Sequence, residues 1–264
     1  MLRHLAPARR RLTVGLGLIA VAVVVVVSAV LIGRWQAAPT PAAQAGPGPV
    51  VVLPGYGGGT RSLEPLVTAL REQGREVAVF PGVGNNTGDL DEQAARLATY
   101  VEDLRERTGA SSVDVVGYSA GGVVARLWVR DHGGDAVARR VLTLASPHHG
   151  NSVSVLATEA AGCPVACQQL DSDSDLLRRL NAGDETPDGP QWATIRSTED
   201  QVVTPSTSAD LVGALRMVVQ SYCPAATTSH GQLPASPVVL AALETVLGSD
   251  PPSAPDRGRV DCDA

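Results

Sequence analysis

The chain is organised around the stretch VDVVGYSAGGVVARLWVR, which runs from Val113 to Arg130. Its first four residues have the length and the β-branched content of a buried strand. After the turn GYSAG, apolar residues recur at helical spacing from Val123 onward. The sequence therefore predicts a strand, a sharp turn with Ser119 at its apex, and a helix.

The glycines of this turn indicate its purpose. Gly117 and Gly121 lie two residues before and two residues after Ser119. A side chain at either position would crowd a turn that pushes the serine hydroxyl out of the sheet. A bare G-x-S-x-G is more often a loop, but with a strand before it and a helix after it the pattern is typical of a nucleophile elbow. We therefore interpret Ser119 as a nucleophile.

The rest of the chain alternates between strand and helix patterns. Further strands are predicted at Val50–Leu53, Glu76–Phe80, Val141–Ala145, Trp192–Ser197 and Leu215–Gln220. Helices are predicted at Arg61–Gln73, Asp89–Arg107 and Pro237–Leu247, with short helical patches near Val153–Ala161 and Ser174–Asn181. This alternation predicts an α/β fold with a mostly parallel central sheet and helices on both faces. The region 146–190 is too short for a large cap domain, so we expect a minimal lid.

The N-terminal region has the pattern of an export signal. Four arginines among the first 11 residues precede an uncharged run of 22 residues from Leu12 to Gly33. A run of that length can span a bilayer, and the basic flank predicts a cytoplasmic N-terminus with the rest of the chain exported. Residues 1–34 are therefore a signal anchor or a cleaved signal peptide. The length of the run favours the anchor, since Ala43-Gln44-Ala45, a possible cleavage site, lies far from it.

The remaining boundaries follow from composition. Residues 35–49 are rich in Pro and Ala and predict an extended linker. Residues 50–248 form the predicted α/β domain, and residues 249–264 an irregular tail. From residue 46 onward the chain has 16 basic and 27 acidic residues, a formal charge of −11. That charge argues against nucleic acid or anionic lipid as the main partner.

The four cysteines are Cys163, Cys167, Cys223 and Cys262. An even number in an oxidising compartment predicts two disulfides. We favour the pairs Cys163–Cys167 and Cys223–Cys262, with the two other connectivities left open. A zinc site is not expected, because the C-x3-C pattern lacks a second pair at ligand spacing. The acidic alternation at 171–175 lacks the later Gly and Glu of a calcium loop, so we expect no metal.

A catalytic serine needs a base, and the base needs a carboxylate to hold it. His230 lies between the last predicted strand and the last predicted helix, where the order Ser–acid–His puts the base. His148 and His149 also follow a strand, but no acid precedes them in that order. Asp200 comes after the strand that starts at Trp192. We favour it as the acid over Glu199, because aspartate is commoner in this arrangement.

The first strand leads into the glycine-rich loop Pro54–Gly59. A glycine-rich turn after a strand can cradle a phosphate, but this one lacks both G-K-[ST] and G-x-G-x-x-G. The other use of such a loop is to let a backbone N–H point at a substrate oxygen. Ligands of parallel sheets bind at the carboxyl ends of the strands. We therefore expect this loop, the Ser119 turn and the segment 146–149 to converge.

Five motifs connect the chain to a known family: LPGYGG (53–58), GYSAGG (117–122), LASPHHG (144–150), STEDQVV (197–203) and SHGQLP (229–234). Over about residues 50–247 the chain resembles the α/β-hydrolase superfamily, and within it the small secreted bacterial lipases and esterases, which include triacylglycerol lipases. The resemblance implies the α/β-hydrolase fold. It also implies a triad of Ser119 as nucleophile, Asp200 as orienting acid and His230 as base.

The resemblance further implies an oxyanion hole made of two backbone N–H groups, those of Ala120 and Tyr56. At Pro54 the chain departs from the pattern, because many relatives have histidine before the loop glycine. The expected activity is that of an extracytoplasmic serine hydrolase that cleaves carboxylic esters, lipid acyl esters above all, without a cofactor. Membrane contact is expected through the N-terminal segment if it is uncleaved. The alternatives are an acyltransferase or amidase with the same triad, and a non-catalytic surface protein that retains the fold.

Overall fold

The computed structural model describes residues 16, 20–28, 42, 46–82, 84–151 and 163–262. The chain divides into two units, residues 1–40 and residues 41–264. In the first unit, residues 20–28 are helical. Most of the predicted signal segment 1–34 and of the linker 35–49 lies outside the described residues, as does the helical patch at 153–161. No helix of the described residues is long and apolar enough to span a bilayer.

The core of the second unit is a parallel sheet of six strands. The strands are β1 (Val50–Leu53), β2 (Val77–Val79), β3 (Val113–Tyr118), β4 (Ala138–Leu144), β5 (Gln191–Arg196) and β6 (Leu215–Val218). Their spatial order is β2-β1-β3-β4-β5-β6, and each neighbouring pair is parallel. The prediction of a mostly parallel sheet is therefore confirmed. Because β3 is central, the turn that follows it opens at the middle of the carboxyl edge.

The α-helices in the described part of this unit are α1 (Glu64–Glu72), α2 (Leu90–Thr108), α3 (Ala120–Asp131), α4 (Val165–Gln169), α5 (Asp175–Leu180), α6 (Val219–Tyr222) and α7 (Pro237–Leu247). Their ends follow local chemistry. Asp89 caps α2 by accepting the N–H groups of Asp91 and Glu92, and Gly109 ends that helix in the left-handed conformation. Ser236 caps α7 with proline as the first helical residue.

Helices cover both faces of the sheet, as predicted. On one face α2, α3, α4 and α5 pack against alternate strand residues such as Val51 and Val115. On the other face α1 and α7 pack against the residues between them, such as Val52 and Val116. Side chains of a strand point alternately to its two sides, so the apolar residues of the strands supply both cores.

Several element boundaries differ from the sequence prediction, and two of the differences have a clear structural reason. β4 begins at Ala138, three residues before the predicted start, because the chain enters the sheet through two buried arginines that periodicity treats as surface. The last strand ends at Val218 instead of Gln220, and the chain continues as the short helix α6. Gln220 therefore belongs to a helix, and the prediction of strand at this residue is wrong.

A buried ion-pair cluster lies at the amino edge of the sheet. The guanidinium of Arg139 donates to both carboxylate oxygens of Asp114, with Nε 2.9 Å from Oδ1 and Nη2 2.6 Å from Oδ2. Arg75 adds a contact of 2.5 Å to the same Oδ2. Arg139 also donates to the carbonyls of Leu247 and Gly248. The cluster therefore ties the beginnings of β3 and β4 to the end of α7.

Both disulfides join cysteines of the second unit. Cys163 is bonded to Cys167 at the start of α4. Cys223 is bonded to Cys262 across a separation of 39 residues. The second bond fixes the C-terminal segment, which has one turn of 3₁₀ helix at Arg257–Arg259, beside the end of α6. Since Cys223 opens the loop that leads to His230, the same bond also anchors that loop.

The Asp114 cluster yields a stability prediction. We expect Asp114→Asn to lower the free energy of unfolding by roughly 3–5 kcal/mol, because removing one partner leaves a buried guanidinium without its counter-charge. Urea unfolding followed by tryptophan fluorescence measures the change. Asp103→Asn, on the exposed face of α2, is the matched control and is expected to change stability by less than about 0.5 kcal/mol. Equal unfolding free energies for the two variants would show that the Asp114 cluster does not stabilise the fold.

Candidate active site

The turn between β3 and α3 holds Ser119 in a strained backbone conformation. Its φ of 53° and ψ of −127° lie outside the regions that an L-residue prefers. Such a residue costs on the order of 1–3 kcal/mol and persists only where the surroundings enforce it. The Ser119 N–H donates to the carbonyl of Leu144, 2.8 Å away, and its own carbonyl accepts the N–H of Gly122 at 3.0 Å. Strand β4 and the first turn of α3 therefore hold the serine from both sides.

The glycines around Ser119 are required by close backbone contacts. A Cβ on Gly117 would lie 2.6 Å from the Cα of Gly122, and a Cβ on Gly121 would lie 2.5 Å from the carbonyl oxygen of Leu53. Gly122 has the same constraint, since its Cβ would meet the Ser146 hydroxyl at 2.0 Å. The sequence singled out the first two glycines. The third was missed because its close neighbour comes from the segment that follows β4, far along the chain.

The glycine-rich loop after β1 lies against the serine. A Cβ on Gly55 would be 2.8 Å from the Cβ of Ser119 and 3.4 Å from its Oγ. The Gly55 carbonyl accepts the N–H of Gly58 at 3.1 Å and the side-chain amide of Asn86 at 3.4 Å. Asn86 is buried, and sequence reasoning did not identify it. Its amide supports the glycine-rich loop.

The two expected oxyanion donors belong to backbone segments next to the serine. Ala120 is the first residue of α3, and the first N–H groups of a helix have no partner within the helix. Tyr56 follows Gly55 in the loop, and the residue is 44% exposed. Both backbone segments therefore adjoin Ser119 at the carboxyl edge of the sheet.

Asp200 and His230 form a direct contact. Oδ2 of Asp200 lies 2.7 Å from Nδ1 of His230, and the Asp200 side chain is 1% exposed. Its Oδ1 accepts the N–H groups of Val202 and Val203 at 2.8 and 2.9 Å. Burial favours the neutral acid, but the hydrogen bonds with His230, Val203 and Val202 outweigh it and lower the pKa of Asp200. The carboxylate is therefore ionised, and its Oδ2 contacts His230 while its Oδ1 accepts the two backbone N–H groups.

Tyr118, the residue before the serine, connects the turn to the histidine. Its hydroxyl donates to the carbonyl of His230 at 3.1 Å, and the two rings have centroids 5.0 Å apart. Burial, together with the charge of Asp200, raises the pKa of Tyr118 to about 12, so the phenol keeps its proton as a donor. No sequence signal identified this role, because the contact crosses 112 positions.

The other candidates have different partners. His148 is fully buried with Nε2 3.0 Å from the Thr143 hydroxyl, and burial, then the charges of Arg126 and His149, lower its pKa well below 6.5. His149 has Nε2 2.9 Å from a carboxylate oxygen of Glu185. The Glu199 carboxylate is exposed and accepts a hydrogen bond from Thr198. The structure therefore brings Asp200, and not Glu199, to His230.

A buried arginine joins α3 to the segment that follows α5. The Arg126 guanidinium donates to the Glu185 carbonyl, the Asn181 side chain and the Leu180 carbonyl at 2.9–3.2 Å. Burial lowers the pKa of Arg126 to about 10, which leaves it charged at neutral pH. Asn181 in turn donates to the carbonyl of His148 at 2.9 Å. Residues 180–185, which we call the rim of the site, are thus fastened to the helix that follows Ser119.

The acidic segment between α4 and α5 has ordinary local roles. Asp171 accepts the N–H of Asp173 at 2.8 Å, and Asp175 begins α5 after the cap residue Ser174. Within the described ranges, no group of three or more His, Cys, Asp or Glu side chains is arranged to hold a metal ion.

Comparison with known proteins agrees with this architecture. A family model for the α/β hydrolase fold matches residues 48–161, which include β1, the glycine-rich loop and the Ser119 turn. No curated protein matches the chain in sequence. The fold itself is shared with many solved structures.

Lipases are among these structures. Lipase B of Aspergillus fumigatus superposes with a TM-score of 0.72 at 19% identity, over 82% of this chain and 56% of that one. The mature form of the Bacillus licheniformis lipase BlEst2 gives a TM-score of 0.62 at 18% identity, over 80% of this chain and 95% of that one. The chain thus spans little more than half the length of the fungal enzyme. The protein has the α/β-hydrolase fold and resembles lipases.

The close contacts at the turn predict the effect of a single methyl group. We expect Gly121→Ala to prevent the native turn, because its Cβ would overlap the Leu53 carbonyl at 2.5 Å. Loss of the cooperative thermal transition, or a melting temperature lowered by many degrees, measures the effect by circular dichroism. Gly88→Ala is the control, since no atom lies within 4 Å of the Cβ position there. A native melting curve for Gly121→Ala would contradict the assigned packing.

The lowered pKa of Asp200 predicts a pH dependence of stability. The ionised carboxylate stabilises the fold above its ordinary pKa of 3.8, and this contribution is lost as the pH falls through the lowered folded-state value. We therefore expect the unfolding free energy of Asp200→Asn to fall less steeply than that of the wild type between about pH 5 and pH 2. Urea titrations across this range measure the slope, with the exposed Asp103→Asn as control. The same slope for wild type and Asp200→Asn would refute the assignment.

Proposed function

We propose that the protein is a serine hydrolase that cleaves carboxylic esters through a Ser119–Asp200–His230 triad. One observation carries the proposal: Tyr118, next to the serine, hydrogen-bonds the backbone of the histidine that pairs with Asp200. Nucleophile, base and acid come from three distant parts of the sequence, yet one continuous set of contacts joins them. A strained serine with positive φ supports the same conclusion, since such strain clusters at active sites.

The mechanism follows from the atoms available. Nδ1 of His230 is engaged by Asp200, so Nε2 is the nitrogen that takes the proton from the Ser119 hydroxyl. The serine oxygen attacks the ester carbonyl and forms a tetrahedral intermediate. The backbone N–H groups of Ala120 and Tyr56 stabilise the oxyanion. His230 then protonates the departing alcohol, and an acyl-enzyme remains until water releases the acid by the same steps.

Lipid acyl esters are the proposed substrates. The fold resembles lipases from a fungus and from a bacterium, and aromatic residues make up only 3% of the chain. The acyl pocket is therefore lined by aliphatic side chains. In the described parts of the region 146–190, residues 146–151 and 163–190, the chain adds only the short helices α4 and α5 beside the sheet, so we expect acyl groups to reach the serine from the carboxyl edge.

The proposed location is outside the cytoplasm. Two disulfides support it, because such bonds persist in oxidising compartments. The arginine-flanked apolar segment within residues 1–34 is the proposed export signal or anchor. Residues 35–49 are the linker, residues 50–248 the catalytic domain, and residues 249–264 the tail held by Cys262.

Ester hydrolysis is tested directly on the purified chain. We expect it to release p-nitrophenol from p-nitrophenyl acyl esters, and Ser119→Ala to lower kcat by at least about a thousandfold, because subtilisin-type triads lose about a millionfold when the serine is removed. Circular dichroism confirms that the variant is folded. Ser146→Ala, a buried serine behind the turn, is the matched control. Equal rates for wild type and Ser119→Ala would exclude the proposed nucleophile, and a series of acyl lengths with emulsified triglyceride defines the substrate range.

A further inference from the structure

One glutamine joins the loop that carries Asp200 to the loop that carries His230. Gln220 lies in α6, directly after β6. Its Oε1 accepts the N–H of Thr198 at 2.9 Å. Its Nε2 donates to the Ser197 hydroxyl and to the carbonyl of Ala226, both at 3.0 Å. A single planar amide therefore bonds to both loops at once.

The loop that carries Asp200, here called the acid loop, is held by the Gln220 amide directly after the end of β5. The Ser197 hydroxyl, which accepts from Gln220, also accepts the N–H of Glu199 at 3.1 Å. The N–H groups of two successive residues are thus fixed by Gln220 or by the serine that it holds. Beyond them, Asp200 fixes the next part of the loop through its own Oδ1. Gln220 accordingly fixes the position of residues 197–199, which lead directly to Asp200.

The loop from Cys223 to His230, here called the histidine loop, has few attachments besides its bond to Gln220. Cys223 begins it and is held by the disulfide to Cys262. The carbonyl of Ala226 receives the bond from Gln220, four residues before His230. In the described part of the chain, no other side chain hydrogen-bonds the backbone of residues 224–228. The path of this loop toward His230 is therefore set midway by Gln220.

We propose that Gln220 is a positioning residue that aligns Asp200 with His230 for ester hydrolysis. The inference rests on the proposed function, because alignment matters for rate only if this pair serves the serine. A neutral amide suits the role, since it offers a donor and an acceptor in one plane without a charge that would compete with Asp200 for the histidine. The contact between Asp200 and His230 is 2.7 Å long, so a small displacement of either loop weakens it.

The test replaces Gln220 by two side chains of similar length. Gln220→Met removes all three hydrogen bonds, and Gln220→Glu keeps an acceptor for Thr198 but no donor for Ser197 or Ala226. We expect kcat for p-nitrophenyl ester hydrolysis to fall on the order of tenfold to a hundredfold in both variants, because a misplacement of about 1 Å can cost about a hundredfold. KM should stay within about twofold, since substrate contacts are unchanged.

Gln93→Met is the matched control. Gln93 is a buried glutamine whose Nε2 donates to the carbonyl of Gly88 at 3.1 Å, and it lies in α2, outside both loops. We expect its kcat to match that of the wild type. Thermal melting of all variants measures the loss of stability that accompanies each substitution. A fall in kcat in the Gln93 variant equal to that in Gln220→Met would overturn the positioning role, because the effect would then follow stability.

A second measurement is independent of turnover. In the wild type, the proton on Nδ1 of His230 is expected far downfield in the NMR spectrum because of its short bond to Asp200, and Asp200→Asn assigns it by its loss. This resonance should shift upfield or broaden in Gln220→Met and stay unchanged in Gln93→Met. If Gln220→Met does not fold, Gln220→Glu gives the same comparison. A wild-type resonance together with wild-type kcat in a folded Gln220 variant would overturn the inference.

The two proposals fail in different ways. Full activity of Ser119→Ala would refute the proposed function, and the NMR comparison would still show whether Gln220 aligns the pair. An inactive Ser119→Ala beside a fully active Gln220→Met would refute only the role of Gln220.

Discussion

The structure depends on the close approach of two backbones, the start of α3 and the end of β1. Gly121 leaves only 2.5 Å between its Cβ position and the Leu53 carbonyl, and Gly55 approaches Ser119 in the same way. With no room for side chains, the chain turns from strand to helix through Ser119 at positive φ. That turn raises the serine above the sheet edge, beside both proposed oxyanion donors. The strained conformation persists because hydrogen bonds with β4 and the first turn of α3 hold Ser119 in place.

Polar contacts then organise each edge of the sheet. At the amino edge, the Asp114 cluster joins β3, β4 and the end of α7, at the side of the sheet opposite to the site. At the carboxyl edge, the polar contacts are between loops. Tyr118 joins the serine turn to His230, Gln220 joins the acid loop to the histidine loop, and Arg126 joins α3 to the rim. Apolar packing forms the two cores, while hydrogen bonds set where the loops between them lie.

Most of the fold was predictable because local patterns and tertiary packing agree. The strands at Val50 and Val113 and the helix Pro237–Leu247 follow from apolar runs, periodicity and caps. The errors occur where distant residues decide. β4 starts early because Asp114, on another strand, compensates Arg139. Gln220 leaves the strand because its amide bonds to two loops that no local pattern connects to it.

The sequence by itself determined the order of elements, the need for glycine around Ser119 and a short set of candidate residues at the ends of strands. These properties depend on neighbours within a few positions, where steric and periodic rules apply. Only the tertiary structure decided which acid meets which histidine. It put Asp200 at 2.7 Å from His230 while Glu199, one residue away, points to solvent. It also brought in Tyr118, Asn86 and Gln220, because their contacts cross from 22 to 112 positions or join separate loops.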